Sequence, residues 1–214
     1  ETYLPTETFM KLCVDNLSFS FHKGIELLKN LSFKVSGKEC LYIKGSNGSG
    51  KTTLLRIIAG LQSYSQGKIK VITEQETKPA FCEFLATEKN GLFYNLSAMD
   101  NLNFWNQINQ QAYTNEELLG TARAWGLCNT FSLTKVPIKK FSTGMKRKVA
   151  LMKAFLSPAP ILLFDEPMNG LDQKSSETFI EALTQAKNSG KLILISSHHN
   201  TSLYKTVINE TLEL

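Results

Sequence analysis

The chain has 214 residues, 24 Lys+Arg against 19 Asp+Glu for a formal charge of +5, and a 42% hydrophobic share. That share supports a packed core and excludes a disordered chain, and the length suits one domain with room for an inserted lobe. No apolar run approaches the roughly 20 residues of a membrane-spanning helix. Glu1-Thr2-Tyr3-Leu4-Pro5 lacks the basic and apolar regions of a secretory leader. Cys13, Cys40, Cys82 and Cys128 lie far apart with no C-x-x-C pair, which argues against a zinc site or a disulfide framework and fits a reducing compartment. With three histidines in all, a metal cluster is not expected. The charge is weaker than the clustered charge of a dedicated nucleic-acid binder, so no nucleic-acid partner is expected.

The first seventy residues read as β-rich. Leu12–Phe21 alternates in part and Leu31–Val35 cleanly, and Cys40–Ile43 is a short apolar strand. A glycine-rich loop follows, then a helix predicted over Lys51–Ala59 with Gly60 as its stop. The middle third turns helical. Ser97-x-x-Asp100 and Thr114-x-x-Glu117 read as capping boxes, the second opening a helix that ends at Gly126. Met99, Leu102, Trp105 and Ile108 recur every three residues and predict one apolar face. Ile161–Phe164 and Leu192–Ser196 read as buried strands, with a helix from Gln173 to Asn188 between them, closed by Gly190. Strands alternating with helices predict an α/β fold with a mainly parallel sheet, preceded by an antiparallel β region and interrupted by a helical lobe.

Gly45-Ser46-Asn47-Gly48-Ser49-Gly50-Lys51-Thr52-Thr53 contains the pattern G-x-x-x-x-G-K-[ST] in full, the mark of a P-loop NTPase. A loop that turns its backbone N–H groups onto a phosphate needs residues without a Cβ, and the helix behind it adds unpaired N–H groups and a partial positive charge. Lys51 supplies a full charge for the β- and γ-phosphates, and the Thr52 hydroxyl can ligate Mg²⁺. A chance glycine loop with a surface lysine is a poor rival, because a strand precedes the pattern and a helix follows it.

Asp165 and Glu166 end a hydrophobic strand. In open α/β sheets ligands bind at the carboxyl ends of strands, which brings both acids toward the phosphate loop. Asp165 is placed to hold Mg²⁺ and Glu166 to orient a water for in-line attack. Taken alone, such an acidic pair is more often an ordinary polar strand end; the upstream loop changes that balance.

Between these motifs lies Phe141-Ser142-Thr143-Gly144-Met145. Together the motifs resemble the nucleotide-binding domain of ATP-binding cassette (ABC) transporters, whose signature reads roughly L-S-G-G-Q, over nearly the whole chain and in the family's order. The resemblance implies one ABC ATPase domain over residues 1–214, with an α/β core of about 1–87 and 141–214 and a helical lobe of about 88–140. It implies ATP and Mg²⁺ as ligands. Phe21 resembles the aromatic that stacks on adenine, although core packing beside Phe19 is the rival role. Ser142 and Gly144 resemble the groups that contact ATP held by a second subunit, and Asp172 of Gly170-Leu171-Asp172 the loop that touches that subunit. His198, rather than the adjacent His199, resembles the switch histidine at the γ-phosphate. Lys51, Glu166 and His198 are thus the catalytic candidates, and Thr52, Asp165 and Glu88 the metal candidates.

Two departures stand out: Thr143 and Met145 replace a glycine and a glutamine of the signature, and Glu88 falls where the family carries a glutamine, with Thr87 as the neighbouring candidate. The resemblance further implies a head-to-tail dimer, a homodimer by default, and attachment through an integral membrane subunit to the cytoplasmic or organelle-matrix face of a membrane. Within the family the chain is most similar to the ATP-binding subunit of the haem exporter of cytochrome c biogenesis. A soluble non-transport ABC ATPase and a low-turnover regulatory subunit are the alternatives. Lys135, Lys139, Lys140, Lys146, Arg147, Lys148 and Lys153 read as a solvated helix face or, less expectedly, an attracting field for an acidic partner. Trp105 and Trp125 read as lobe packing, and the Met99–Trp105–Ile108 stripe could also grip a membrane subunit.

Overall fold

A computed structural model describes residues 10–22, 25–73, 81–87, 91–198 and 201–214. Thr87 is described; Glu88 and His199 lie outside these ranges, so the roles weighed for those two are not addressed. The chain forms two compact units. The first comprises residues 1–84, 159–166 and 184–214, and the second residues 85–158 and 167–183, which takes in the signature region as well as the lobe.

In the first unit, β1 (Met10–His22) is the centre of an antiparallel sheet, paired with β2 (Ile25–Ser36) on one side and β4 (Gln66–Thr73) on the other. A second sheet has the order β5-β6-β7-β3-β8. Its strands are β5 (Cys82–Leu85), β6 (Ile161–Asp165), β7 (Leu192–Ser197), β3 (Cys40–Lys44) and β8 (Glu210–Glu213). β6 and β7, β7 and β3, and β3 and β8 all pair parallel. β6 and β7 are buried at every position, as strands covered on both faces must be. Alternate residues Leu41, Ile43, Ile161, Leu163, Leu192 and Leu194 join Leu54, Leu55 and Ile57 of α1 (Lys51–Ile58) and Leu12, Val14, Leu17 and Phe19 of β1 in one core. The core therefore fixes the root of the glycine loop and the C-terminal ends of β6 and β7 in one packed layer. Burial also pushes the Cys40 thiol up to about 12, leaving it inert.

The second unit is helical: α2 (Ala98–Ile108), α3 (Asn115–Ala124), α4 (Thr130–Lys135), α5 (Thr143–Leu156) and the first part of α6 (Gln173–Asn188). Both expected capping boxes are present, Ser97 with Asp100 and Thr114 with Glu117. Trp125 is buried and stacks on Phe155, as lobe packing requires.

The apolar face predicted for α2 needs correction. Met99 and Leu102 are buried, but Ile108 is 54% exposed. At 3.6 residues per turn a spacing of three drifts about 60° per step, so nine residues carry Ile108 to the side opposite Met99. The basic stretch is likewise more than a solvated face. Lys135, Lys139 and Lys140 are exposed, whereas Arg147 and Lys153 are buried and Lys148 is paired with Asp172. Lys153 lies 4.5 Å from the centre of the Trp105 ring and Lys146 5.5 Å from that of Tyr94, both cation–π distances.

Candidate active site

The glycine loop leaves β3 and enters α1 through Gly50, whose φ of 102° is open to glycine at little cost. A Cβ there would also lie 2.8 Å from a Leu28 methyl. α1 has no side chain capping its start, so its first N–H groups remain available to an anion. Ser46, Asn47 and Gly48 are exposed, Gly45, Ser49 and Thr53 are half-buried, and Lys51 is 7% exposed. The Lys51 ammonium donates to the carbonyls of Gly45 (2.8 Å) and Ser46 (2.9 Å), which holds a full charge inside the curl of the loop.

Thr52, the next residue, reaches the other motif. Its Oγ1 lies 3.0 Å from Asp165 Oδ1 and 2.9 Å from Oδ2, so one hydroxyl proton is shared between both carboxylate oxygens. Asp165 is 2% exposed, and Oδ1 accepts a second bond of 2.6 Å from Ser196 Oγ. Glu166 takes φ = 47°, in the left-handed region, with its N–H on the Ser196 carbonyl at 3.0 Å. A non-glycine residue there costs about 1–2 kcal/mol, and the turn swings the Glu166 side chain away from the strand direction. Glu166 Oε1 then meets His198 Nδ1 at 2.7 Å, so two of the three expected catalytic side chains are in direct contact. Phe21 is 65% exposed and packs edge-on against buried Phe19 at 4.8 Å, which rules out the core role.

A buried carboxylate beside a hydroxyl at hydrogen-bond distance is a donor set suited to Mg²⁺, which prefers oxygen and takes one or two protein ligands with phosphates and water for the rest. No three His, Cys, Asp or Glu side chains converge among the described residues, and such a site does not require them.

In the second unit Ser142 is the N-cap of α5, its hydroxyl accepting from Met145 N–H at 3.2 Å. Thr143 is the first helical residue and needs no positive φ, so the departure from glycine costs the backbone nothing. Gly144 is different, because a Cβ there would lie 2.8 Å from the Gly170 carbonyl. Asp172 receives Ser175 N–H (2.8 Å) and Ser175 Oγ–H (2.7 Å) on Oδ1 and the Lys148 ammonium (2.9 Å) on Oδ2. These bonds, the Lys148 one foremost, hold its carboxyl well below the usual range.

Two residues that matter were not singled out from the sequence. By sequence Ser196 reads only as the end of a strand, and its polarity after an otherwise apolar run is the one local signal of its role. Arg147 was read as part of a charged face, yet it donates from Nε to the Pro167 carbonyl (3.0 Å) and from Nη1 to the Ala86 carbonyl (2.9 Å). It ties α5 to Ala86 and to Pro167, the residue that follows Glu166 in sequence.

A glycine loop with a buried lysine at the end of one parallel strand, and an acidic pair at the end of another, define a P-loop NTPase. The ABC transporter family model matches residues 28–169, and the chain belongs to that family. It is 33% identical over 192 residues to the cytochrome c biogenesis ATP-binding export protein CcmA of Chelativorans sp., covering 88% of this chain and 92% of that one. It is also 33% identical over 203 residues to the protein of the same name from Legionella pneumophila, covering 93% and 98%. Among solved structures, the ATP-binding subunit of an ABC transporter superposes with a TM-score of 0.79 at 26% identity, covering 95% of this chain and 85% of that one.

Proposed function

We propose that the chain binds Mg²⁺–ATP on the Gly45–Thr53 loop, hydrolyses it with Glu166 and His198, and powers a separate membrane subunit that exports a component needed for cytochrome c assembly. The observation that carries the catalytic part is the pair of contacts Thr52–Asp165 and Glu166–His198 beside Lys51, made by side chains from the start of α1 and the C-terminal ends of β6 and β7. Lys51 binds the terminal phosphates. Thr52 and Asp165 would hold the cation, which contributes positive charge against the phosphate oxygens. Glu166 accepts hydrogen from the attacking water, and the His198 ring fixes the Glu166 carboxylate or turns to the γ-phosphate. Phe21 offers its exposed face to the adenine ring.

The start of α5, with Ser142 and the close-fitting Gly144, serves ATP carried by a second copy, and Asp172 lies in the loop facing that copy. A head-to-tail homodimer with two nucleotides follows. Among the described residues no helix is long and apolar enough to cross a membrane; the proposed attachment is through a partner. The exposed aromatic group Phe93–Phe104, with Trp105 against both, is a fitting surface for that partner. An export role in cytochrome c biogenesis is supported by the names of the relatives; haem as the cargo rests on the family resemblance, and the substrate would be selected by the membrane subunit. The test is reconstitution. The chain with the membrane proteins that co-purify with it should hydrolyse ATP in the presence of Mg²⁺, and a complex with no turnover would favour the low-turnover regulatory subunit instead.

A further inference from the structure

We propose that Ser196 is a positioning residue for the divalent cation: its hydroxyl fixes Asp165 Oδ1 and thereby sets the orientation in which that carboxylate meets the metal. The inference rests on the reading of Thr52 and Asp165 as the cation's protein partners. Ser196 is fully buried, near the end of β7, and opposes Asp165 directly in the parallel register. It makes two kinds of bond to the acidic pair. The backbone carbonyl takes the Glu166 N–H, which any residue could provide. The side chain donates to Asp165 Oδ1 at 2.6 Å, the shortest of the three hydroxyl contacts on that carboxylate.

The chemistry separates the two oxygens. Each hydroxyl has one proton. Thr52 shares its proton between Oδ1 and Oδ2, so it does not choose between them. Ser196 contacts Oδ1 alone and does choose. Its charge-assisted bond holds the carboxylate plane, so the carboxylate meets a cation or its bound water in one fixed orientation. A group that orients a ligand in this way tunes cation affinity without touching the nucleotide. Sequence periodicity gives no sign of this, because the two residues are 31 positions apart.

The test uses the full chain and its Ser196→Ala variant. Mn²⁺ binding to the ATP-loaded chain is read from the loss of the free-ion paramagnetic resonance signal, and ATP affinity is read separately in EDTA. Ser196→Ala is expected to weaken Mn²⁺ binding about tenfold, the low end for groups that orient a metal ligand. Metal-free ATP affinity should stay within about twofold, since Ser196 makes no bond to the loop. Unchanged Mn²⁺ affinity overturns the proposal, and so does an equal loss of metal-free ATP affinity, which would indicate a merely structural role. If Ser196→Ala does not fold, Ser196→Cys, similar in size with a weak donor, is held to the same two criteria. A wild-type chain that binds ATP with no dependence on a divalent cation would instead overturn the Thr52–Asp165 assignment, and the proposal with it.

Discussion

The C-terminal end of β6 and the N-terminal end of α5 make an instructive pair, because both carry polar groups suited to phosphate chemistry and treat them in opposite ways. At β6 the acids are buried and their partners are in place: Thr52 and Ser196 on Asp165, His198 on Glu166. At α5 Ser142 is exposed and its hydroxyl caps its own helix. A buried charge without partners costs several kcal/mol, so the first arrangement must be preorganised. A helix start at the surface pays no such penalty and can wait for an anion brought from outside.

The largest expected effect tests the preorganised end. Glu166→Gln should lower ATP turnover by about 10²–10⁴-fold, the range for a removed general base. Nucleotide-bound dimers should accumulate in size-exclusion chromatography. If turnover persists, the water-orienting role assigned to Glu166 is wrong. Lys51→Ala should weaken ATP binding by roughly 10–100-fold in calorimetry, through loss of charge-assisted bonds.

Arg147→Met sharpens the contrast from the other region. It strands the Pro167 and Ala86 carbonyls, and chemical denaturation should show a loss of about 1–3 kcal/mol. Phe21→Ala should weaken ATP binding about threefold to tenfold while leaving tripolyphosphate binding and thermal stability unchanged. A parallel loss for both ligands would remove Phe21 from the adenine site.

The smallest effect concerns pH. The Asp172 carboxyl is depressed chiefly by Lys148 and then by Ser175. A depressed carboxyl contributes stability above its unfolded pKa of about 3.9, and loses that contribution as pH falls toward the folded value. Thermal melts of wild type and Asp172→Asn should therefore differ at neutral pH and converge below about pH 4. A gap that widens on acidification would contradict the pairing.

Much of the frame was readable in the chain. The strand before the glycine loop, the helix from Lys51, both capping boxes, the span Gln173–Asn188 and the apolar strands β6 and β7 all follow from local patterns. The strand β4 escapes a sequence reading although Lys68–Val71 alternates, because that run is short and none of the strand's residues is fully buried. The short α4 and β8 offer too few residues for a periodic signal. Ile108 was misplaced by taking a spacing of three for a helical period.

The sequence by itself determined which residues can bind a phosphate, because a glycine-rich turn followed by a lysine and a helix start is a local device built from consecutive residues. Only the tertiary structure decided what surrounds them. Parallel pairing sets Ser196 against Asp165, a left-handed turn at Glu166 accompanies its contact with His198, and packing leaves Phe21 exposed while burying Arg147. Those outcomes depend on register and burial between distant segments, which no spacing within a single segment encodes.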